Sequence, residues 1–473
     1  MKVGFRSERG PILIALMLSS ALVAIDATIL ATAVPSIVAD LGGFSLFPWL
    51  FSIYLLAQAV SVPVYAKLSD LVGRKPIIVV GIGLFLLGSV LCGLAWSMPA
   101  LIAFRVVQGL GAGAVQPMSI TIAGDIYTLA ERAKVQGYLA SVWGISSVVG
   151  PTLGGVFSQF LSWRWIFFVN IPLCLIAAFM IWRNFHEKVE RRPHRIDYLG
   201  AVLLTASLTL LILAVLEGGQ AWAWNSPQSI GAFAGGAVLL GLFVAAESHA
   251  AEPILPLWVF SRRLLLTTTL VSTGVGAILI GLTSYVPTYL SGSLGTSPII
   301  AGLALAALTL GWPIAAAQSG RLYLRIGFRN TALIGIAIVV LGTGVLAAFA
   351  GAPSVAVVAS SCFVIGLGLG LVASPTLIAA QSSVGWDERG VVTGTNLFAR
   401  SMGSAVGVAI FGAVANGIFA ASGKPAADVP TIEAASTAVF IAVAIAAVTT
   451  IAAVLSMPRT PAQGARGTAV TRP

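Results

Sequence analysis

The segment AKLSDLVGRK occupies residues 66–75, and a related segment, GRLYLRIGFR, occupies residues 320–329. Each begins with a small residue, a basic residue and Leu, and each ends with Gly followed two positions later by a basic residue. Both lie between long apolar stretches, and the second comes eight stretches after the first. Two halves of six stretches would space them by six. The sequence therefore predicts two repeated halves with two additional stretches between them.

Apolar residues dominate the composition. Hydrophobic residues make up 58% of the chain, charged residues only 9%, and the mean hydropathy is +0.98. Soluble domains carry about 25% charged residues, so this chain lacks the polar groups to cover a water-soluble surface. Disordered chains are poor in apolar residues. Both classes are excluded, and the remaining class is a protein that crosses a membrane many times.

Fourteen apolar stretches are long enough for membrane helices, which need about 20 residues. They predict an all-α polytopic protein with two six-helix bundles and an inserted two-helix hairpin. We expect an N-terminal bundle at 1–195, the hairpin at 196–250, a C-terminal bundle at 251–458 and a cytoplasmic tail at 459–473. The predicted spans are 12–35, 48–68, 76–96, 99–124, 134–158, 164–182, 198–217, 229–247, 264–290, 298–318, 331–350, 353–380, 391–419 and 434–456.

Basic residues set the predicted orientation. Nearly all of the 26 Lys and Arg residues fall in alternate loops on one side, whereas Arg164 and Lys424 fall on the other side and Arg105 and Arg400 within spans. Cytoplasmic loops are enriched in Lys and Arg, so we expect both termini in the cytoplasm. The composition favours a bacterial inner (plasma) membrane. The same bias accounts for the net charge of +10 without a nucleic-acid partner.

Motifs for catalysis or metal binding are absent from the sequence. The three cysteines, Cys92, Cys174 and Cys362, lie far apart in apolar stretches, which favours neither a disulfide framework nor a metal site. There is no GxxxxGK[ST] phosphate loop, so the chain carries no ATPase of its own. We expect no catalytic residue, no metal and no cofactor, with the proton gradient as the energy source.

Five motifs, in order along the chain, resemble those of a known family. The chain is similar to the major facilitator superfamily, in its fourteen-helix drug:proton antiporter branch, and the resemblance covers nearly the whole length. Ala66 replaces the first Gly of the family's loop motif. Leu324 stands where the second copy would carry Asp, which argues against symmetric gating by the two loops. The matching segments are 26–35, 66–75, 105–113, 144–155 and 163–172.

The resemblance implies a transporter whose substrate site lies between two halves near the membrane midplane. Within it, Gly150, Pro151, Gly154 and Gly155 match a motif that the family associates with exporters rather than importers. Proline removes a backbone hydrogen bond, and glycine permits the close approach of another helix. We therefore expect a break in the fifth helix and a tight, bendable contact there, with ordinary close packing as the alternative.

A gating loop is expected at Asp70, Gly73, Arg74 and Lys75. A carboxylate is favoured at the N-terminus of a helix, so Asp70 can accept hydrogen bonds from a helix start in the opposite half. Such a contact would latch one conformation on the cytoplasmic side. The alternative is a basic loop that only fixes topology.

Asp26 and Arg105 are charged residues deep within predicted spans. A carboxylate near the centre of a span costs about 2.5–3.5 kcal/mol on insertion scales, and burial favours its neutral form. At 1.5 Å per residue, the two residues lie at similar depths, so we expect a contact between them, direct or through water. We predict that Asp26 binds the transported proton beside Arg105. The alternatives are a structural carboxylate and a guanidinium that anchors backbone carbonyls.

Other polar and aromatic residues within the spans are candidates for the substrate cavity, namely Gln58, Gln108, Trp143, Trp312, Asn396 and Arg400. Aromatic rings at the midplane can stack on flat or cationic ligands, although packing is their more frequent role. Asn396 lies one turn before Arg400 on the same helix face, and the resembled branch carries a similar pair. Glu217, at the outer end of a span, is expected to be an interfacial residue.

The predicted function is proton-coupled export of amphipathic, apolar or cationic small molecules by alternating access, as in multidrug efflux and drug resistance. Asp26 is the only acidic residue deep within a predicted span, so neutral or monocationic substrates fit better than dications. The alternatives are export of an endogenous lipid, siderophore or metabolite, proton-coupled import, and a transport-dead membrane scaffold. The expected partners are a small-molecule substrate, protons and membrane lipid, with the protein acting as a monomer.

Overall fold

The computed structural model describes residues 4–42, 46, 49–187, 197–218, 222–250, 253, 255–422 and 428–459. Within these residues, fourteen helices are long and apolar enough to cross a membrane, which confirms the predicted number of spans. We number them α1 to α14, with the bounds Gly10–Leu41, Trp49–Val72, Arg74–Gly93, Met98–Ile126, Leu129–Phe160, Asn170–Asn184, Tyr198–Glu217, Pro227–Glu247, Arg263–Leu294, Pro298–Ile326, Phe328–Ala348, Val355–Ser382, Arg389–Ser422 and Val429–Ser456. Two short helices, Trp165–Phe168 and Trp258–Ser261, precede α6 and α9.

The helices of the two halves contact one another in the same pattern. In the N-terminal half, α1 packs on α5 and α6, α3 packs on α4, and α2 packs on α4. In the C-terminal half, α9 packs on α13 and α14, α11 packs on α12, and α10 packs on α12. Each pair in the second half follows its counterpart by eight helices, as the spacing of the two repeated segments predicts.

The inserted hairpin consists of α7 and α8. The two helices pack on each other, and α7 also contacts α2 and α13. Leu204, Leu208 and Ile212 of α7 share a buried cluster with Leu56 and Val60 of α2. The hairpin therefore lies against the seam between the halves through α7. The predicted division at 195/196 and the predicted tail beyond Arg459 lie outside the described residues.

One local expectation is wrong. Gly150–Pro151 was expected to break the fifth helix, whereas α5 is continuous from Leu129 to Phe160 with Pro151 inside it. A proline removes a single backbone donor, and neighbouring contacts let membrane helices tolerate that loss.

The loops that connect the helices lie at two ends of the molecule, a basic end and an opposite end. The basic end comprises 66–75, 126–131, 320–329 and 382–390, where α2, α5, α10 and α13 begin or end. The opposite end comprises the connections 94–97, 161–164 and 349–354 and the end of α7. Under the charge rule, the basic end is the one expected to face the cytoplasm.

Candidate functional site

Asp70 joins the two halves at the basic end. It lies in the last turn of α2 and is buried. Its carboxylate oxygens accept hydrogen bonds from the backbone N–H groups of Gly390, at 2.9 Å, and Val391, at 2.7 Å. These groups belong to the first turn of α13, where N–H donors have no partner within the helix. The expected contact between Asp70 and a helix start in the opposite half is present.

Arg74 extends this contact into a charged network. It is fully buried, and its Nη2 lies 2.7 Å from Asp70 Oδ1 while its Nε lies 3.1 Å from Asp125 Oδ2. Asp125, at the end of α4, also pairs with Arg389 of α13 at 3.0 Å. The guanidinium of Arg74 stacks 3.8 Å from the ring centre of Trp386. Two positive and two negative charges are thereby paired across the seam.

The sequence did not identify Asp125 and Arg389 as members of this site. Each lies at the end of a predicted span, where charged residues are common, so nothing in the local pattern distinguished them. The sequence predicts that Lys75 belongs to the gate. In the structure, its Nζ donates to the carbonyl of Trp182 at 2.8 Å and its backbone N–H donates to Glu187. Lys75 therefore fixes the end of α6 to its own half rather than to α13.

The second seam between the halves runs along α5 and α10. A Cβ at Gly137 would lie 2.6 Å from Cβ of Ala317, and a Cβ at Gly144 would lie 3.0 Å from the carbonyl oxygen of Thr309. The hydroxyls of Ser147 and Thr309 are 3.3 Å apart. Glycine allows α5 and α10 to touch from the basic end to the middle of each helix, so both seams are closed at the basic end.

Gly150 of the exporter-type motif on α5 contacts α1. A Cβ at Gly150 would collide with the hydroxyl of Thr28, and that hydroxyl donates to the carbonyl of Ser146 at 2.9 Å. Gly154 is buried, but a Cβ at Gly155 would meet nothing within 4 Å. The close approach expected at Gly155 is therefore absent, because Gly155 lies on another side of the helix from Gly150, which does touch α1.

The predicted pair in the N-terminal half is a direct ion pair. Arg105 Nη1 lies 2.7 Å from Asp26 Oδ2, and each side chain is only 1% exposed. Gln108 donates through Nε2 to Asp26 Oδ1 at 2.7 Å and accepts from Arg105 Nη1 at 2.7 Å. Both oxygens of the carboxylate therefore have protein partners, and the predicted contact between Asp26 and Arg105 is confirmed.

Further polar groups surround this ion pair. Arg105 Nε donates to the carbonyl of Leu50 in α2 at 3.1 Å, and its guanidinium lies 4.1 Å from the ring centre of Tyr54. Ser89 of α3 accepts from Gln108 at 2.9 Å and from Asn170 of α6 at 3.3 Å. The cluster thus connects α1, α2, α3, α4 and α6. A polar residue in the middle of an apolar span was the only sequence signal for Ser89.

Two residues predicted to line the cavity are instead buried inside one half. Gln108 is 0% exposed and belongs to the Asp26 cluster. Asn396 is also buried; its Oδ1 accepts from Ser272 at 2.8 Å and its Nδ2 donates to the carbonyl of Thr268 at 3.2 Å. Both contacts are to α9, so Asn396 fastens α13 to α9.

The remaining cavity candidates are partly exposed. Gln58 on α2 and Trp143 on α5 are of this kind, and Trp143 packs against the N-terminal core. Arg400 of α13 lies with its guanidinium 5.6 Å from the ring centre of Trp312 on α10. Its Nε is buried without a hydrogen-bond partner. Arg400 and Trp312 are therefore brought together, although Asn396 does not join them.

A cavity of about 320 Å³ lies near the opposite end, between the hairpin and the C-terminal half. Val215, Gly218 and Trp224 of the hairpin form one wall, and the other wall comes from α9 and α13. Glu217 lies in sequence between the lining residues Val215 and Gly218, and it is 9% exposed. In the described part of the chain, no group of three metal-ligating side chains occurs.

The chain is similar in sequence to the proteins of one known family. The profile of the Major Facilitator Superfamily matches residues 16–408. The multidrug transporter protein MdtP of Bacillus subtilis is 35% identical over 415 residues, which cover 88% of this chain and 77% of MdtP. Multidrug resistance protein 3 of the same organism is 36% identical over 410 residues, which cover 86% of this chain and 80% of that protein.

The fold is also similar to that of solved transporter structures. The crystal structure of the human organic anion transporter MFSD10 superposes with a TM-score of 0.67. The superposition covers 94% of this chain and 99% of that chain at 16% sequence identity. At this identity the likeness concerns the fold alone.

Proposed function

Because the chain belongs to the Major Facilitator Superfamily, we propose that it exports amphipathic, apolar or cationic small molecules in exchange for protons. The family and the fold are those of multi-pass membrane transporters and not of enzymes. Relatives named as multidrug transporters, at 35% and 36% identity, support export of drug-like compounds. The observation that carries proton coupling is the buried ion pair between Asp26 and Arg105.

Asp26 can couple a proton to the helix packing because its partners lie on other helices. Its ionised carboxylate holds α1 to Arg105 and Gln108 of α4, and Arg105 also binds the backbone of α2. Protonation would remove the negative charge and leave the buried guanidinium of Arg105 without its counter-ion. Breaking a buried pair in this way costs about 3–5 kcal/mol, which is enough to favour another arrangement of these helices.

The closed seams at the basic end supply the second element of alternating access. Asp70 of α2 binds the start of α13 and pairs with Arg74 of α3, while Ser147 and Thr309 lie at the junction of α5 and α10. In the proposed orientation, with both termini in the cytoplasm of a bacterial inner membrane, this is the state closed toward the cytoplasm. The transporter would act as a monomer in contact with membrane lipid. A proton moving inward at 100 mV releases about 2.3 kcal/mol, which supports about a fiftyfold gradient of a neutral substrate.

Inside-out vesicles test this proposal. An imposed pH gradient drives uptake of a fluorescent lipophilic cation while the lumenal pH is recorded. We expect substrate-triggered proton release in the wild type and its loss in Asp26→Asn. Asp40→Asn is the matched control, because Asp40 also lies on α1 and pairs with an arginine, Arg164, at 2.8 Å, but it is exposed.

Three results separate the proposal from its rivals. Proton release that survives in Asp26→Asn would place the proton site elsewhere. Equal loss in Asp26→Asn and Asp40→Asn would indicate a general defect and contradict a specific role of Asp26. No flux for any compound in a panel of apolar and cationic amphipaths would contradict drug export and favour an endogenous lipid or metabolite.

A further inference from the structure

Arg400 carries a positive charge that no described residue neutralises. It lies eleven residues into α13, or about 16 Å from the start of that helix. None of the ion pairs formed by the described residues includes Arg400, and its Nε is buried without a hydrogen-bond partner. Arg105, by contrast, is neutralised by Asp26. An unpaired guanidinium inside a membrane is costly and marks a functional site.

The packing of α13 shows which way Arg400 faces. Asn396 and Gly403, each about one turn away, contact α9. Gly394 lies against α2, and Leu397 packs in the core of the N-terminal half. At 3.6 residues per turn, Arg400 lies between the face turned to α9 and the face turned to the opposite half. This position directs it toward the interface between the halves and away from lipid.

Trp312 lies on α10 and faces the same interface between the halves. Gly311 lies against the backbone of α12, and Thr309 contacts Ser147 of α5. Leu310 and Ile314, on the other side of the helix, are 55% and 53% exposed. Trp312 therefore lies between the faces of α10 that contact α12 and α5, opposite the exposed residues. It is fourteen residues from either end of α10, at the middle of the span.

We propose that Arg400 and Trp312 form a subsite for amphipathic monoanions, in which the guanidinium binds a carboxylate and the indole packs on the adjoining apolar body. The inference rests on the proposed export function and adds a substrate class to it. Arginine presents N–H donors in a planar fork that binds a carboxylate through two hydrogen bonds. A guanidinium 5.6 Å from the ring centre places the anion-binding group beside an aromatic wall. Such a ligand supplies the counter-ion that the described residues do not.

A matched set of probes tests this subsite in purified full-length protein. Pyrenebutyrate, pyrenebutanol and the corresponding trimethylammonium compound share one apolar body and differ in charge. Their affinities are measured by fluorescence titration. We expect the wild type to bind pyrenebutyrate more tightly than pyrenebutanol. Arg400→Gln is expected to reduce that ratio of affinities at least about tenfold, because the charge-assisted hydrogen bonds to the carboxylate are lost.

Two further variants guard against a folding defect. Arg400→Lys keeps the charge but not the planar fork, so the ratio is expected to fall less than in Arg400→Gln. Arg263→Gln removes the same charge at the exposed end of α9, where Arg263 donates to the carbonyl of Ser456, and is expected to leave the ratio unchanged.

The proposal is overturned if Arg400→Gln leaves the ratio unchanged, or if the wild type prefers the trimethylammonium compound to pyrenebutyrate. A parallel loss of affinity for all three probes in Arg400→Gln also contradicts it, because the charge would then have only a structural role. The titration involves no proton flux. A failure of this subsite and a failure of proton-coupled export are therefore distinguishable.

Discussion

The two repeated loops at the basic end have the same backbone turn but join the halves by different chemistry. Gly73 directly precedes α3 with φ +103°, and Gly327 directly precedes α11 with φ +83°, a region that L-residues with a side chain rarely adopt. In the first loop, the carboxylate of Asp70 binds the start of α13. In the second loop, Leu324 occupies the equivalent position and cannot accept a hydrogen bond.

The second loop does not need a carboxylate because α5 caps its own start. Thr128 and Glu131 form a capping box in which each side chain accepts a hydrogen bond from the backbone of the other. Contact between the halves comes instead from Tyr323, whose hydroxyl donates to the carbonyl of Leu129. The ring of Tyr323 stacks on Phe328 at 4.6 Å, where the first loop has Arg74.

The two copies of the repeat therefore keep the same turn but join the halves through different contacts. Contacts in the first loop depend on buried charges, so loss of one charge leaves others unpaired. Contacts in the second loop join neutral groups, and each of them contributes only a small free energy. We therefore expect the seam between α2 and α13 to open first and the seam between α5 and α10 to act as the more constant contact.

The largest expected effect comes from Asp70→Asn. It leaves Arg74 with one carboxylate fewer, and breaking a buried pair costs about 3–5 kcal/mol, so the population should shift away from the state closed at the basic end. Spin labels at the exposed positions Val72 and Asp387 would report a longer distance. Leu324→Asn, at the equivalent position of the second loop, is the control, and an equal shift in both variants would refute the asymmetry.

A smaller effect is expected when the second loop is made to resemble the first. Leu324→Asp introduces a carboxylate next to a helix start that is already capped, so the free energy of unfolding should fall by about 1–3 kcal/mol. Adding Phe328→Arg supplies the missing partner and should recover part of that loss. A double-mutant cycle from denaturant unfolding measures the coupling. Stabilisation by Leu324→Asp alone would show that α5 still lacks a cap.

The smallest effect is expected from Tyr323→Phe, which removes one neutral hydrogen bond between the halves. The expected loss of stability is about 0.5–1.5 kcal/mol, with little change in the distance between labels on α2 and α13. Tyr65→Phe provides the control, because the hydroxyl of Tyr65 forms no hydrogen bond with a described residue. A loss as large as that of Asp70→Asn would contradict the view that the second seam depends on many small contacts.

Much of the candidate site followed from the sequence because its signals are local. The gating contact of Asp70 could be predicted because Asp70 lies in the repeated loop motif and a carboxylate is favoured at the N-terminus of a helix. The Asp26–Arg105 contact followed from equal depth in two spans. The roles of Gln108 and Asn396 could not be predicted in this way, because the direction of an amide side chain depends on how the helix is rotated against its neighbours.

The number of spans can be derived from the sequence alone, as can the repeat with its inserted hairpin and the depth of each charged residue. These properties depend on hydropathy and spacing along the chain, because each helix that crosses a membrane must satisfy its backbone hydrogen bonds within its own segment. Other features became visible only in the tertiary structure. Asp125 and Arg389 complete the charged network, and Lys75 makes its contacts within its own half. On α5, Gly150 touches another helix and Gly155 does not. Arg400 is left without an acidic partner among the described residues. These outcomes depend on helix rotation and on contacts between residues far apart in sequence, where a turn of one helix by a single position changes every partner.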